Sequence, residues 1–548
     1  MAPPTPPKDL SPDQCILLAV HYASSADIPT LHSFTPSRPD ALSAELVLRI
    51  LLTYLPESLD PAAYRSYVSE VGSRLYLDVD RPDVEVDTSP VSDLDEAAAR
   101  KKVKKLQLRE IVPPNFPPHA PEDLLTRFLC HRASRIDEET GLLELVPELV
   151  KPFLERNDYL RVWFVSAVLP VLRINLEYYP EDPLSDSLRE FGEREGTEGL
   201  ELLLSRVRKE PVDLQAESSH AARDMRSLVG PWMYGHSDRK RRRLDMRKSQ
   251  KKAGSADDDA ELTEGVRKIA LDGVTQEDKT GHDWEHAYTW IVRNAQDNFP
   301  LITHLVEEWD GPSDVDFGGY ERGQHRAYLD DDVLRKLELQ YAQAAFASCY
   351  AAQDSSEETV RGAHGILARL AELLDFIPPP DLATSVESLP SVEKHSTVLD
   401  ESQTLQDLLP DRLLTPEHPL TTPRVETYML LQMLVYTAYQ LHGLGHAASL
   451  ADVAKVQFYG TSESQLSLLH KILRGLAESG RKGEVDWAPC QAKLVWLWNW
   501  GIDPEDTSAR FGAGVLGKID KHDFESEMLK VFTDTNRKLK LFPLSTRS

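Results

Sequence analysis

Hydrophobic positions recur at helical spacing along almost the whole chain. The densest case is residues 43–55, where apolar side chains occupy nearly every face of one predicted helix, so that neighbours must cover it on several sides. Ser43 is suited to cap its N-terminus, and Pro56 ends it because proline has no amide hydrogen to donate. Asp60 followed by Pro61 predicts a second helix. We interpret this stretch as a helical hairpin that forms structural core.

Similar patterns continue to about residue 500. Ser11 and Pro12 predict an N-terminal helix, and Asn157 caps a strongly apolar helix in which Pro170 predicts a kink or an end. A short helix is predicted near residues 405–409. Longer helices are predicted near residues 124–129 and 284–291, and over residues 334–352, 357–376, 428–441, 446–458, 463–477 and 487–500. No stretch shows a convincing run of period-2 alternation.

The repeated unit is a helix of moderate length punctuated by proline or by an Asp or Ser cap. This predicts an all-α fold, an irregular α-solenoid of stacked helix pairs with disordered loops, while an ordinary multi-domain helical protein is the alternative. The predicted segments are N-terminal helix pairs (1–77), an acidic linker (78–98), a helical solenoid segment (99–234), a charged disordered insertion (235–264), a second solenoid segment (265–380), a loop-rich linker (381–423), a third solenoid segment (424–535) and an atypical tail (536–548).

Charge and cysteine content narrow the function classes. The 548 residues include 62 basic and 89 acidic side chains, a net charge of −27, which argues against nucleic acid or an anionic membrane as the main partner. Four scattered cysteines do not suit a disulfide framework and favour a reducing compartment. The N-terminus lacks the pattern of a signal peptide. The best apolar run, residues 162–174, is too short for a membrane span, so no transmembrane segment is expected.

One stretch has the spacing of a catalytic zinc site. His282, Glu285 and His286 match H-x-x-E-H, in which two histidines one turn apart could hold zinc and the glutamate could activate water. The alternative interpretation is the polar start of an amphipathic helix, with acidic residues at the positive end of its dipole. No third ligand can be identified from spacing. A zinc-dependent hydrolase therefore stays the alternative function.

Three other features have two interpretations each. Gly512, Gly514 and Gly517 match the dinucleotide-binding pattern G-x-G-x-x-G, but no strand is predicted before them and a flexible loop is favoured. The basic run at residues 239–252 could direct a nuclear helical scaffold protein, or could be a solvated loop. Four tryptophans of the last predicted long helix should anchor core or an interface: Trp487 at its start, and Trp496, Trp498 and Trp500 near its end.

No set of residues suited to catalysis can be assigned from these patterns. The sequence shows no Ser/His/Asp set, no phosphate loop and no paired carboxylates in an apolar setting. We therefore assign no catalytic, cofactor-binding or metal-binding residue and expect no cofactor, and an enzyme is the less favoured class. Partner-binding residues cannot be named from the sequence.

Several short stretches, taken in order, resemble the fungal secretory-pathway family Sec39. They are residues 44–61 (AELVLRILLTYLPESLDP), 229–234 (VGPWMY), 284–286 (WEH), 308–312 (EWDGP), 341–345 (YAQAA), 414–422 (LTPEHPLTT) and 496–501 (WLWNWG). The resemblance covers the chain from about Gln14 to Thr535. It implies an all-helical solenoid without catalytic activity.

The resemblance also implies a role and partners. It points to a subunit of the Dsl tethering complex on the endoplasmic reticulum, similar to the animal neuroblastoma-amplified protein of the NRZ complex. Such a protein would be a non-catalytic scaffold in retrograde Golgi-to-ER transport, binding other tether subunits and ER SNAREs. It would be peripheral, on the cytosolic face of the ER membrane.

The end of the chain departs from the family pattern. Residues 536–548 match no family stretch, and members of the family usually continue well past this point. The expectation is an alternative or mispredicted terminal exon, which would leave the solenoid without its C-terminal cap.

Overall fold

The computed structural model describes residues 6–73, 84–111, 123–194, 196–207, 220–236, 282–320, 331–389, 405–481, 485–500 and 510–533. Within these ranges the secondary structure is entirely helical, with no strand. The all-α, solenoid-like fold predicted from the sequence is confirmed. The chain divides into two compact units, each made of separate segments. Unit 1 comprises Met1–Gly199, Pro231–Val274 and Asp316–Arg326, and unit 2 comprises Leu200–Gly230, Thr275–Val315 and Ala327–Ser548.

Ten helices of unit 1 are described in chain order. They are α1 (Pro12–Ser24), α2 (Ile28–Phe34), α3 (Ala44–Tyr54), α4 (Arg65–Ser73), α5 (Ser89–Ser92), α6 (Glu96–Val103), α7 (Leu124–Thr140), α8 (Leu145–Val150), α9 (Asp158–Tyr178) and α10 (Leu188–Glu193). Helices close in sequence pack against one another: α1 contacts α2 and α3, α3 contacts α4 and α7, and α7 contacts α8. This is the neighbour-on-neighbour packing that stacked helices require.

The described part of the predicted acidic linker packs against α1. Gln14 completes the capping box of α1 with Ser11, and its Nε2 donates to the carbonyl of Leu94 at 2.7 Å. The Tyr22 hydroxyl donates to the carbonyl of Asp87. The short helices α5 and α6 both contact α1. This region therefore differs from the exposed linker expected from its charge and prolines, because its backbone carbonyls bind the polar side chains of α1.

The opening hairpin has the predicted core but a different second half. The Ser43 hydroxyl accepts from the amide of Leu46 at 3.3 Å, as predicted, and Leu51 is fully buried. After Asp60 the chain forms a 3-10 turn, Pro61–Ala63, and α4 begins only at Arg65. The predicted continuous helix from Pro61 is therefore wrong in its first turn. Asp60 caps that 3-10 turn, through the amide of Ala62 at 2.8 Å.

Two arginines from α7 close the C-terminal end of α3. Arg132 Nη1 donates to the carbonyl of Leu55 at 2.9 Å, and Arg135 Nη1 donates to the carbonyl of Leu52 at 2.8 Å. Both guanidinium groups also pair with Glu57, in the turn after the helix. The two side chains are 0% and 5% exposed. They satisfy helix-end carbonyls that have no partner within α3. We call this arrangement the arginine clamp.

Helix α9 runs through Pro170, where a kink or an end was predicted. Phe164–Val168 and Arg173–Tyr178 are π-helical, and the amide of Leu169 donates to the carbonyl of Phe164. A π turn is wider than an α turn and changes the hydrogen-bond pairing next to the proline, so the missing amide no longer interrupts a regular α ladder. The predicted end at Pro170 is therefore wrong, because the rule for an end assumes a uniform α-helix.

Helix α9 is long and apolar enough to cross a membrane, by its length and composition alone. However, 78% of its apolar window is buried inside the protein, and it includes fully buried Leu160, Phe164 and Val168. Its apolar character is therefore that of a core helix of unit 1. No other such helix occurs in the ranges that the structure describes.

The remaining helices form unit 2, apart from the first turn of α11. They are α11 (Gly196–Val207), α12 (His220–Asp224, continued by the π segment Met225–Val229), α13 (His282–Asp297), α14 (Phe299–Glu308), α15 (Asp331–Ala351), α16 (Glu357–Leu374), α17 (Val425–Gly443), α18 (Leu450–Ala454, continued by the π segment Lys455–Tyr459), α19 (Ser462–Arg481), α20 (Trp487–Asn499) and α21 (Lys521–Thr533).

Most predicted helices of unit 2 begin and end within a few residues of the observed ones. Among the helices predicted with both ends, the largest differences are four residues: α18 starts at Leu450 instead of residue 446, and α19 ends at Arg481 instead of residue 477. The short helix predicted near residues 405–409 is a 3-10 turn, Leu405–Leu408. From α13 to α18 each helix again contacts its near neighbours in sequence, including α13 with α15 and α14 with α16.

Candidate interaction surface

A buried aromatic cluster holds α13 in place in unit 2. Trp284 stacks on Trp309 with ring centroids 5.9 Å apart, and Tyr341 meets Trp309 edge-to-face at 4.8 Å. The hydroxyls of Tyr288 and Tyr341 donate to the carbonyls of Leu337 and Trp309 at 2.9 and 2.8 Å. Because aromatic pairs and hydroxyl bonds of this kind have defined geometry, they determine which face of α13 is buried.

The opposite face of α13 lines a groove of about 770 Å³. Its other walls are α11 and the loop at residues 410–411. We call it the α11–α13 groove. Its lining residues are Glu201, Leu204, Ser205, His286, Thr289, Trp290, Arg293, Asn294, Gln296, Asp297, Pro410 and Asp411. Leu204 and Asn294 are buried and belong to the packed walls, whereas Trp290 is half-buried.

The charges of the α11–α13 groove are mostly negative. Glu201, Asp297 and Asp411 contribute carboxylates, against the single guanidinium of Arg293. Arg293 Nη2 lies 3.4 Å from Asp411 Oδ1, and the two side chains are 63% and 78% exposed. His286 Nε2 lies 3.3 Å from Glu201 Oε1. Exposed pairs of this kind contribute little to stability, so these groups are available to a ligand.

The residues of the H-x-x-E-H stretch lie in different environments. His282 begins α13, but its side chain lies outside the described residues. Trp284, inside the motif, belongs to the buried aromatic cluster, while Glu285 is exposed and His286 lines the groove beside Glu201. Among the described residues, no group of three or more His, Cys, Asp or Glu side chains could hold a metal ion. The described side chains therefore add no third ligand beside His286.

The glycines of the G-x-G-x-x-G stretch approach protein backbone. The amides of Gly514 and Leu516 donate to the carbonyls of Trp498 and Leu497 at the end of α20, at 2.9 and 3.1 Å. A Cβ at Gly514 would lie 2.1 Å from the carbonyl oxygen of Leu497. We call residues 512–517 the glycine loop. It is a packed helix cap rather than the flexible loop favoured from the sequence, and two of its amides are unavailable to a phosphate.

The three tryptophans of α20 and the adjoining Trp500 are core residues, one of the two roles predicted for them. Trp498 stacks on Phe524 of α21 with ring centroids 5.8 Å apart, and its Nε1 donates to the carbonyl of Ile519 at 3.0 Å. Trp500 Nε1 donates to the hydroxyl of Thr437 in α17 at 3.1 Å. All four tryptophans, at positions 487, 496, 498 and 500, are at most 5% exposed.

Sequence reasoning did not identify the α11–α13 groove. Glu201, His286 and Asp411 come from distant parts of the sequence, and no local pattern joins them. One signal was present: Trp290 lies off the stripe formed by Trp284 and Tyr288, on the polar side of α13. Tryptophan is enriched at interfaces because its large apolar ring carries one polar N–H group, so Trp290 is a candidate for a contact surface. The basic run 239–252 and the tail 536–548 lie outside the described residues.

Comparison with protein families matches residues 16–544 to the family described as secretory pathway protein Sec39. A comparison with curated proteins gave no match. The family match covers nearly the whole chain and extends beyond Thr535, where the resemblance by short stretches ended. It agrees with the all-helical fold described above. The chain therefore belongs to the Sec39 family of secretory pathway proteins.

Proposed function

We propose that the chain is a non-catalytic scaffold subunit of a vesicle-tethering complex on the cytosolic face of the endoplasmic reticulum. In this role it acts in retrograde Golgi-to-ER transport and binds other tether subunits and ER SNAREs. Membrane association is peripheral and depends on these partners. The observation that carries the proposal is the family match over residues 16–544.

Two features of the structure support a scaffold. Neighbouring helices pack in sequence order within each unit, which is how solenoid proteins build extended binding surfaces. Some residues of the H-x-x-E-H and G-x-G-x-x-G motifs have structural roles. Trp284 is core, and the glycine loop caps α20. The net charge of −27 disfavours direct binding to anionic lipid and favours recruitment by proteins.

Proximity labelling and affinity purification of the tagged full chain test this function. We expect enrichment of ER SNAREs and tether subunits over a cytosolic protein that carries the same tag. Recovery of only nuclear or metabolic proteins would contradict the proposal and would favour the alternative functions.

Extraction of membranes with alkaline carbonate tests the mode of membrane association. A peripheral protein should be released into the supernatant, because its attachment depends on protein contacts. Retention in the membrane pellet would instead indicate that an apolar helix such as α9 spans the bilayer.

Elemental analysis of the purified chain tests the zinc-hydrolase alternative. The scaffold function predicts substoichiometric zinc. One zinc per chain that is lost in a His286→Ala variant would favour the hydrolase, because His286 is a ligand in that interpretation.

A further inference from the structure

We infer that the α11–α13 groove binds a basic segment of a partner protein that also carries apolar side chains. The carboxylates of Glu201, Asp297 and Asp411 receive the cations, and Trp290 receives an apolar or cationic side chain. The inference rests on the scaffold function proposed above and assigns one of its binding surfaces.

The groove is formed before any partner binds. The aromatic cluster fixes α13 from behind, through the stacking of Trp284 on Trp309. On the other wall, Leu204 of α11 is 1% exposed and belongs to the core. Asn294 is held to its own helix, because its Nδ2 donates to the carbonyl of Trp290 at 2.8 Å. Rigid walls lower the entropy cost of binding, so a preformed groove favours affinity.

The net negative charge of the α11–α13 groove favours a positively charged partner. Three carboxylates line the groove and only one guanidinium, and the chain as a whole carries a net charge of −27. Long-range attraction therefore brings cations to this surface, and a phosphate or an anionic membrane is repelled. The Arg293–Asp411 pair is exposed on both sides. Its small stabilising effect allows an incoming Arg or Lys to replace Arg293 at the carboxylate of Asp411.

The apolar part of the groove explains why a flexible basic tail alone is a poor fit. Trp290 is half-buried and offers an indole ring, which binds aliphatic side chains and the guanidinium of arginine. Pro410 also lines the groove. A segment with both Arg and Leu can contact the carboxylates and these apolar groups together. Tryptophan and arginine pairs of this type are frequent centres of binding energy in protein interfaces.

Fluorescence anisotropy with the purified full chain tests the inference. The probe is a labelled peptide of about fifteen residues, with Arg and Leu at helical spacing, and the control peptide has Glu in place of each Arg. The groove variant is Glu201→Lys with Asp411→Lys. The matched control is Glu463→Lys with Glu478→Lys, which makes the same change of net charge at exposed positions of α19.

We expect the basic peptide to bind and the acidic peptide not to bind. The groove variant should weaken binding about tenfold or more, while the control variant should change it by less than about twofold, because each close ion pair contributes modestly and the distant charges are screened. Trp290→Ala should also weaken binding, and Trp290→Phe should restore part of it. Circular dichroism of each variant verifies that it is folded.

Three results would overturn the inference. They are no binding of the basic peptide, equal binding of the acidic peptide, and equal weakening by the groove and control variants. Sedimentation provides a further test: if the chain self-associates and the groove variant abolishes this, the occupant is a second copy of the chain and the inference is wrong.

A failure here is distinguishable from failure of the scaffold function. If the peptide tests fail while the wild-type chain still co-purifies with ER SNAREs and tether subunits, only the groove assignment falls. If the wild-type chain recovers no secretory partners, the proposed scaffold function is wrong.

Discussion

At the C-terminal ends of α3 and α20, backbone carbonyls without a partner inside the helix accept hydrogen bonds from elsewhere in the chain. The two ends differ in the kind of donor. At α3, in unit 1, the free carbonyls accept hydrogen bonds from the side chains of the arginine clamp on α7. At α20, in unit 2, the free carbonyls accept hydrogen bonds from the backbone amides of the glycine loop. In both cases the donor comes from outside the helix. A buried helix end therefore depends on residues that no local pattern connects to it.

The two helix ends should be sensitive to different kinds of substitution. The arginine clamp places charge in the core, where the loss of one partner leaves another buried group unpaired. The glycine loop involves no charge but depends on space, because a Cβ at Gly512 or Gly514 would lie 2.0 or 2.1 Å from a carbonyl oxygen. We therefore expect the α3 end to respond to changes of charge and the α20 end to changes of size.

The largest loss of stability is expected from a substitution at a buried position of α3. Leu51 is 0% exposed, and Leu51→Asp buries an unpaired carboxylate. It should destabilise the protein by about 4 kcal/mol or more and unfold this end of unit 1. Thermal unfolding measures the loss. Leu409→Asp, at a position that is 53% exposed, is the control and should change stability by less than about 0.5 kcal/mol. An unchanged unfolding temperature for Leu51→Asp would show that α3 is not core.

Removal of one arginine tests the arginine clamp directly. Arg132→Met should cost about 3 to 5 kcal/mol, because Glu57 and the end of α3 lose a buried partner. Denaturant unfolding measures this free energy. The control is Arg293→Met in the α11–α13 groove, where the ion pair is exposed and should contribute less than about 1 kcal/mol. Equal losses at the two sites would contradict the proposed difference between buried and exposed pairs.

A pair of glycine substitutions tests the role of space at the α20 end. Gly514→Ala should destabilise by about 2 to 3 kcal/mol, because the new methyl group overlaps the carbonyl oxygen of Leu497. Gly475→Ala, within α19, meets nothing within 4 Å and should stabilise by up to about 1 kcal/mol through helix propensity. Chemical unfolding should show changes of opposite sign. A loss of equal size at both positions would mean that backbone freedom, not space, decides the effect.

The smallest expected effect is a pH dependence near the arginine clamp. His131 of α7 lies within hydrogen-bond distance of the carbonyl of Ile111, at 3.1 Å, and burial lowers its pKa from 6.5 to about 4. The nearby positive charges of Arg189 and Arg135 act in the same direction. The unfolded chain therefore binds a proton more readily than the folded chain between these two values. Stability is fully present above about pH 6.5 and decreases as the pH falls toward 4.

The full shift corresponds to about 3 kcal/mol when the pH falls from 7 to 4, and screening by solvent reduces this contribution to about 2 kcal/mol. Unfolding curves of wild type and His131→Gln over this range measure it, and the variant should show a smaller decrease. His21→Gln, at an exposed position of α1, is the control. Parallel pH profiles for wild type and His131→Gln would show that this histidine does not contribute.

Local signals predicted the helices well. Capping residues and prolines placed the starts of α1, α3 and α9, because each acts on the backbone within a few residues of itself. The same rules failed where the local geometry is not that of a regular α-helix. Pro170 lies inside α9, and the residues after Pro61 form a 3-10 turn before α4. Hydrogen bonds to α1 also order residues that were predicted to be linker.

The binding surface could not be predicted in the same way. The α11–α13 groove joins Glu201, His286 and Asp411, whose proximity depends on the packing of unit 2. Periodicity describes which face of one helix is apolar, but not which helix covers it. The glycine loop shows that a sequence motif can match where its usual function is not served. Its spacing matched a known motif, while its glycines serve the close approach of two backbone segments.

The two π segments of α9 have a consequence for the evolution of the family. A π turn accommodates one residue more than the α ladder without breaking the helix, and it thereby absorbs the rotation of about 100° that an inserted residue would otherwise give to all later side chains. We therefore expect each segment, Phe164–Val168 and Arg173–Tyr178, to correspond to a tolerated single-residue insertion. An alignment of relatives should place one-residue gaps at these positions. Relatives with such a gap should have a regular α-helix there, with the same aligned residues facing the core.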